Sequence, residues 1–324
     1  MAGVGTATVE RVLNERGGVR PDTVEKVIRA LRDVDYPRRI PERHQGLMRI
    51  DVILVNPEST FFERLARAFT RIAATLDPVI SVHRTFMDDS DPESIARKLS
   101  DFSIRRSAII IAAPEHPSVR RALLAHRARG VPVIQIVSRM SGLDADYIGI
   151  ENAAAGRMAG LLMCGLQKRP GQIMAMCHSG IYDAHRQRIS GFSDFIERQG
   201  GDGVHFDSVS FHYDDADNSR EALYEALDRN KDLIGIYNAG GTNSTLSDVL
   251  RRHPRGKNIC FIGHELTERS SAALRDGTMA AIIDQVPEAQ ARRALDMALH
   301  RLGLLEHAVD QRPIPFVTVT KENV

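Results

Sequence analysis

From residue 50 onward, short apolar runs alternate with amphipathic stretches of helical length almost to the C-terminus, and this pattern restricts the chain to few architectures. The runs cover residues 50–55, 108–112, 131–137, 173–176, 233–237, 259–262 and 279–283, each bounded by polar, Gly or Pro residues. Strands separated by helices run parallel, because a parallel pair needs a crossover long enough to hold a helix, and both sheet faces then become covered. The pattern spans residues 50–324, more than one such sheet needs. An α/β chain with two doubly wound parallel-sheet lobes and a cleft between them is therefore expected. Ligands of such sheets sit beyond the carboxyl ends of the strands, so the residues after each run are the ones to read.

Composition narrows the class. With 43% hydrophobic and 26% charged residues in 324, the chain is globular, and no apolar run approaches the roughly 18 residues of a membrane span. Cys164, Cys177 and Cys260 are odd in number and widely spaced, which fits neither a disulfide framework nor a thiolate metal site and points to a reducing cytoplasm. The net charge of +1 hides an asymmetry: residues 1–49 hold ten basic and seven acidic side chains, while the remainder is net −2. The basic head reads as short helices. Thr8, Val9, Val12 and Leu13 share a helical face, Gly17 and Gly18 break it, and a second helix starting near Pro21 spaces Val24, Val27, Ile28, Leu31 and Val34 helically. Pro37, Arg38, Arg39, Pro41 and Gly46 then read as a linker. The expected division is a head at 1–36, a linker at 37–48 and a two-lobed body at 49–324.

Five strand ends carry candidate chemistry. After the first, Ser59, Phe61 and Phe62 precede a helix; adjacent helical residues point about 100° apart, so one ring is expected in the cleft, where flat rings pack on the C–H faces of sugars. Arg186 and Arg188 open a helix as a fork able to hold hydroxyls or a carboxylate. Asn238 precedes Gly240 and Gly241, whose backbone N–H groups can approach a ligand. Glu265 and then Asp284-Gln285 end the next two strands as hydroxyl acceptors; Arg139 and Glu115 follow other strand ends and are expected to tune the choice of ligand. His264-Glu265 starts like H-E-x-x-H but lacks the second His, no G-x-S-x-G is present, and no cofactor motif or catalytic set emerges, so neither an enzyme nor a metal or cofactor is expected.

The stretch Ala2-Gly3-Val4-Gly5-Thr6-Ala7-Thr8-Val9-Glu10-Arg11-Val12-Leu13-Asn14 resembles the recognition-helix signature of LacI/GalR bacterial transcription regulators, A-G-V-S-x-x-T-V-S-R-V-L-N. Val19, Thr23, Val27, Ala30 and Tyr36-Pro37 match that family's third helix and the turn before its hinge. The body resembles the family's sugar-sensing domain, which is similar to type I periplasmic sugar-binding proteins. The resemblance implies that Thr6, Ala7, Thr8, Arg11 and Asn14 face operator DNA, with Thr6, Ala7 and Arg11 on base edges. It also implies that Arg188, Glu265 and Gln285 bind sugar hydroxyls, that Phe61 and Phe62 match an N-x-F-F stacking loop with Ser59 in place of Asn, and that Asn238 matches more loosely. Three departures stand out. The chain begins where the family's first helix is ending, so a truncated helix-turn-helix is expected; Glu10 replaces a Ser; and Arg39-Ile40-Pro41-Glu42-Arg43 lacks the hinge pattern N-x-x-A-R-x-L.

The resemblance implies a cytoplasmic, homodimeric repressor that binds palindromic operator DNA under control of a small sugar or polyol, with no membrane partner. The alternative is a periplasmic-type sugar-binding protein serving a transporter.

Overall fold

The computed structural model describes residues 3–13, 19–20, 23–24, 26–27, 30–31, 48–201 and 203–324. Asn14 and the expected linker residues 37–47 lie outside them. The chain divides into two compact units, residues 1–48 with 77–81, and residues 49–76 with 82–324.

In the first unit, helix α1 (Thr6–Leu13) starts after Gly5, whose carbonyl accepts from the Thr8 and Val9 amides. Val12 is buried with Val27 and Leu31, and Val4, Val9, Val19 and Val24 pack around them, which accounts for valine at helical spacing in so basic a segment.

The second unit holds two sheets. The first has the order β2-β1-β3-β4-β5, from β1 (Met48–Val55), β2 (Ile80–Met87), β3 (Ala108–Ile111), β4 (Val133–Ile136) and β5 (Asp146–Ile148). The pairs β1–β3, β3–β4 and β4–β5 are parallel. The second has the order β11-β10-β9-β8-β6-β7, from β6 (Gly171–Cys177), β7 (Val204–Phe211), β8 (Leu233–Asn238), β9 (Cys260–His264), β10 (Ala281–Asp284) and β11 (Val317–Val319); all are parallel except β11, which runs antiparallel on β10. Helices α2 (Thr60–Ala73), α3 (Pro92–Ser100) and α4 (Pro117–Arg127) belong to the first lobe. Helices α5 (Asn152–Leu166), α6 (Asp183–Gln199), α7 (Ala216–Arg229), α8 (Asn243–Arg252) and α9 (Glu268–Arg275) belong to the second. Helix α10 (Pro287–Arg301) returns to the first lobe and packs on α2, β3, β4 and β5, so the chain crosses between lobes after β5, after β10 and after α10.

The central strands read as continuous apolar runs because they are covered on both sides: β3, β4 and β10 are buried throughout. Four strands escaped the run pattern. In β2 and β7, ISVHRTFM and VHFDSVSF, most positions are partly or fully exposed and polar residues interrupt the apolar ones. Both lie at sheet edges, where one flank lacks a neighbouring strand. The other two, β5 and β11, are three residues long.

Helices α5 and α6 pack backbone to backbone. A Cβ on Gly156 would collide with the Arg188 carbonyl, and one on Gly191 with the Ala153 carbonyl, so glycine at both positions sets the approach of the two helices. That approach fixes where Arg188 stands.

Candidate functional site

A cavity of about 620 Å³, mouth included, lies where the strand ends of the two lobes face each other. The backbone at those ends is unusual. Among the described residues the non-glycine positions with φ between +49° and +73° are Asn56, Val137, Tyr213, Asp214, Thr242, Glu265 and Val286, each just beyond the end of a strand. A left-handed conformation is uncommon outside glycine and more so for a β-branched residue such as Val137. Asn56, Val137, Asp214 and Glu265 line the cavity, so this strain turns side chains into it.

One wall is aromatic. Phe61 is 6% exposed and Phe62 half-buried, their rings meet edge to face at 5.2 Å between centroids, and both line the cavity with Ser59. The expectation that one ring faces the cleft understated the geometry.

The polar floor is built around Arg188, 2% exposed. Its Nε donates to Asn152 Oδ1 at 2.9 Å and its Nη1 to the Ala239 carbonyl at 2.9 Å, while Nη2 is buried without a partner among the described residues. Gln285 donates through Nε2 to Glu265 Oε1, leaving Glu265 Oε2 and Gln285 Oε1 buried and unpartnered. Burial pushes the Glu265 carboxyl up to about 8 against the opposing pull of Arg188. His185 also lines the cavity; burial, reinforced by Arg188, holds its pKa well below the usual histidine value, and its Nδ1 is unpartnered. Facing groups therefore offer one guanidinium donor, a carboxyl that is mostly protonated near neutrality, an amide oxygen and a neutral imidazole. Such a set pairs with hydroxyls, which both donate and accept.

Two expected site residues stand elsewhere. Asn238 is fully buried; its Nδ2 donates to the Gly241 carbonyl and, at 2.8 Å, to Asn243 Oδ1, so it shapes the turn that brings Gly240 and Gly241 to the cavity. Arg139 is exposed and stacks its guanidinium over the Tyr147 ring at 4.4 Å, in a separate, wider hollow. The chain reverses at Val137, and Ser138 takes the inward position, accepting the Ala184 amide at 3.2 Å. The arginine fork is also split: Arg186 binds Glu115 at 2.8 Å, Asp183 at 3.1 Å and the Gly180 carbonyl at 2.6 Å. Asp284 is used by Arg64, whose Nη1 and Nη2 meet it at 2.7 and 3.2 Å.

Cavity residues that sequence reasoning missed include Asp89, Tyr182, His185 and Asp214. Asp89 and Asp214 follow the edge strands β2 and β7, so recognising those strands would have exposed them. In the first unit, Thr6, Ala7 and Arg11 are exposed on α1 and Thr8 is half-buried.

Residues 50–303 match the family described as periplasmic binding protein domain, and residues 1–38 match bacterial regulatory proteins, lacI family. The HTH-type transcriptional regulator MalR of Streptomyces coelicolor is 30% identical over 167 residues, which cover 49% of this chain and 46% of that protein. The ribose operon repressor of Halalkalibacterium halodurans is 24% identical over 263 residues, 80% of this chain and 74% of the repressor. An ABC transporter solute-binding protein from Burkholderia graminis in complex with D-arabinose superposes with a TM-score of 0.79 at 17% identity, covering 87% of this chain and 98% of that one. A periplasmic solute-binding protein from Actinobacillus succinogenes with bound D-allose gives 0.75 at 16%, over 85% and 98%. The chain thus belongs to the periplasmic binding protein domain family, and its residues 1–38 are similar to the lacI family of bacterial regulatory proteins.

Proposed function

We propose that this protein is a sugar- or polyol-responsive transcription regulator of the LacI type, a repressor that acts in the cytoplasm as a homodimer on palindromic operator DNA. The observation that carries the ligand half is the set of buried, unpartnered groups on Arg188, Glu265 and Gln285 beside two phenylalanine rings. Buried polar atoms without partners cost free energy, and a polyhydroxylated ligand relieves all of them at once. The regulatory half rests on the lacI-family match over 1–38 and on the repressors among the relatives. Thr6, Ala7, Thr8 and Arg11 on α1, followed by Asn14, are the proposed DNA contacts. Residues 1–36 form the proposed head and 37–48 the proposed hinge. Ligand controls DNA only if it binds two states of the dimer unequally, and the interlobe position of the cavity supports such coupling.

The test is selection of binding sites from a pool of random duplexes by the full chain, with and without a sugar that raises its melting temperature. Enrichment of a palindrome whose affinity changes with that sugar supports the reading, and failure to enrich any palindrome overturns it. The second reading, a transporter's binding protein, is favoured by the solved structures of like fold; it predicts the sugar-dependent melting shift with no DNA selection at all.

A further inference from the structure

The cavity holds two carboxylates that the hydroxyl-binding set does not explain. Asp89 and Asp214 both line it, and their side chains are only 15% and 17% exposed. Among the described residues no lysine or arginine lies within 4.0 Å of either carboxylate. Of the nearby arginines, Arg186 is paired with Glu115 and Asp183 and Arg139 lies over the Tyr147 ring, while Arg188, held by the neutral Asn152 and Ala239 acceptors, forms no ion pair with either carboxylate among the described residues. The basic groups in reach are two histidines. His212 Nδ1 stands 3.7 Å from Asp214 Oδ1, yet that nitrogen accepts the Asp214 backbone N–H at 3.2 Å, so its lone pair rather than a proton faces the carboxylate. Asp89 takes a hydrogen bond from the Tyr182 hydroxyl at 2.7 Å, with His178 Nε2 farther off at 3.5 Å. Asp214 accepts the Gly241 amide at 2.9 Å through Oδ1 and is held inward by a left-handed backbone.

Asp89 follows β2 of the first lobe and Asp214 follows β7 of the second, so each lobe brings one largely buried carboxylate to the cavity, hydrogen-bonded by neutral donors. A neutral polyol adds more neutral donors and leaves the charge in place. An ammonium group supplies three donors together with the missing positive charge. The buried and unpartnered Arg188 Nη2 and Gln285 Oε1 are suited to hydroxyls.

Building on the sugar or polyol reading of the same site, we propose that the ligand is an amine-bearing sugar, its ammonium group held between Asp89 and Asp214 and its hydroxyls on Arg188, Glu265 and Gln285. The two carboxylates thereby become the specificity determinants for the amine.

The experiment is isothermal titration of the full chain, at mildly acidic pH where the amines are protonated, with D-glucosamine, D-galactosamine and D-mannosamine, each beside its parent hexose and its N-acetyl derivative. The expected result is at least about tenfold tighter binding of one amino sugar than of its parent and its N-acetyl form. Asp214→Asn is expected to abolish that preference, so that the amino sugar binds no more tightly than its parent hexose. Asp89→Asn provides the same test should the first variant fail to melt cooperatively. A parent hexose that binds as well as its amine overturns the proposal and leaves the sugar reading intact. Binding of none of the nine compounds overturns the proposal and counts against the sugar reading as well.

Discussion

Arg188 Nε donates to Asn152 Oδ1 at 2.9 Å, tying the second turn of α6 to the first residue of α5, while Nη2 of the same guanidinium stays buried without a partner among the described residues. The bond joins positioning to recognition: a neutral amide orients the cation without consuming its charge, and the cation stays available to a hydroxyl.

Arg188→Ala is expected to lose the ligand-induced melting shift altogether. A ligand at 100 times its dissociation constant adds about 2.7 kcal/mol to the native protein, and the variant should show none of it. Removing the guanidinium also leaves Asn152 Oδ1 and the Ala239 carbonyl without their donors, at a cost of about 1–3 kcal/mol. Differential scanning fluorimetry with and without sugar separates the two effects.

Glu265 predicts a pH dependence. Burial raises its folded pKa to about 8, above the ordinary glutamate value of 4.5, so the native state holds a proton that the unfolded chain releases over that range. Stability is expected to be highest below about pH 4.5 as far as this group is concerned, to fall as pH rises through about 8, and to level off above. Glu265→Gln should flatten this part of the profile, by a few kcal/mol at about 1.4 kcal/mol per pKa unit. Urea melts of both proteins between pH 5 and pH 9 measure the difference, and parallel profiles would remove the buried-acid account.

Gly191→Ala is expected to destabilise by about 1–3 kcal/mol and to weaken sugar binding, even though residue 191 does not line the cavity. The added Cβ meets the Ala153 carbonyl, and the shift it forces between α5 and α6 moves Arg188 relative to Asn152. Sugar affinity unchanged in a destabilised Gly191→Ala protein would show that the helix approach does not set the arginine's position.

Asp51 gives a control at the other end of the first sheet. It is 3% exposed and takes Arg106 Nε at 2.7 Å and Arg49 Nε at 2.6 Å; Arg106 also caps carbonyls at the end of α3, Lys98 at 2.9 Å and Asp101 at 2.8 Å. Asp51→Ala leaves Arg106 buried without its carboxylate and should cost about 3–5 kcal/mol. Titration of the folded fraction should give unaltered sugar affinity.

Arg11→Ala tests the head. If Arg11 reads a base edge, the substitution should cost about 1–3 kcal/mol of operator binding and relax specificity at one position of each half-site. Fluorescence anisotropy with matched and mismatched duplexes reads this, and the sugar-induced melting shift should be unchanged.

The apolar runs are enough to read the central strands, because a strand covered on both faces is apolar along most of its length: β3 is AIII, and β10 is AIID with its one polar residue at the carboxyl end. The strand-end rule then drew attention to Phe61, Arg188, Glu265 and Gln285, which converge on one cavity. Asp89 and Asp214 are hidden for a connected reason: β2 and β7 are half-exposed edge strands without a continuous apolar run, so the pattern does not mark the loops that follow them. Arg139 and Asn238 were misjudged because a strand end is a place and not a direction. The left-handed turn at Val137 gives the inward position to Ser138, and the Gly240-Gly241 turn uses Asn238 as its internal brace.

By itself, then, the sequence determined the two-lobed α/β class, the short regulatory motif and the residue types available at the cleft. Periodicity and spacing are properties of neighbouring residues and survive in one dimension. The tertiary structure decided which of those residues share a cavity, which carboxylates have no lysine or arginine beside them among the described residues, and which arginine is buried and which lies on the surface. Those outcomes depend on positive φ angles at strand ends and on the backbone contact of α5 with α6, and neither is encoded by any contiguous stretch of chain.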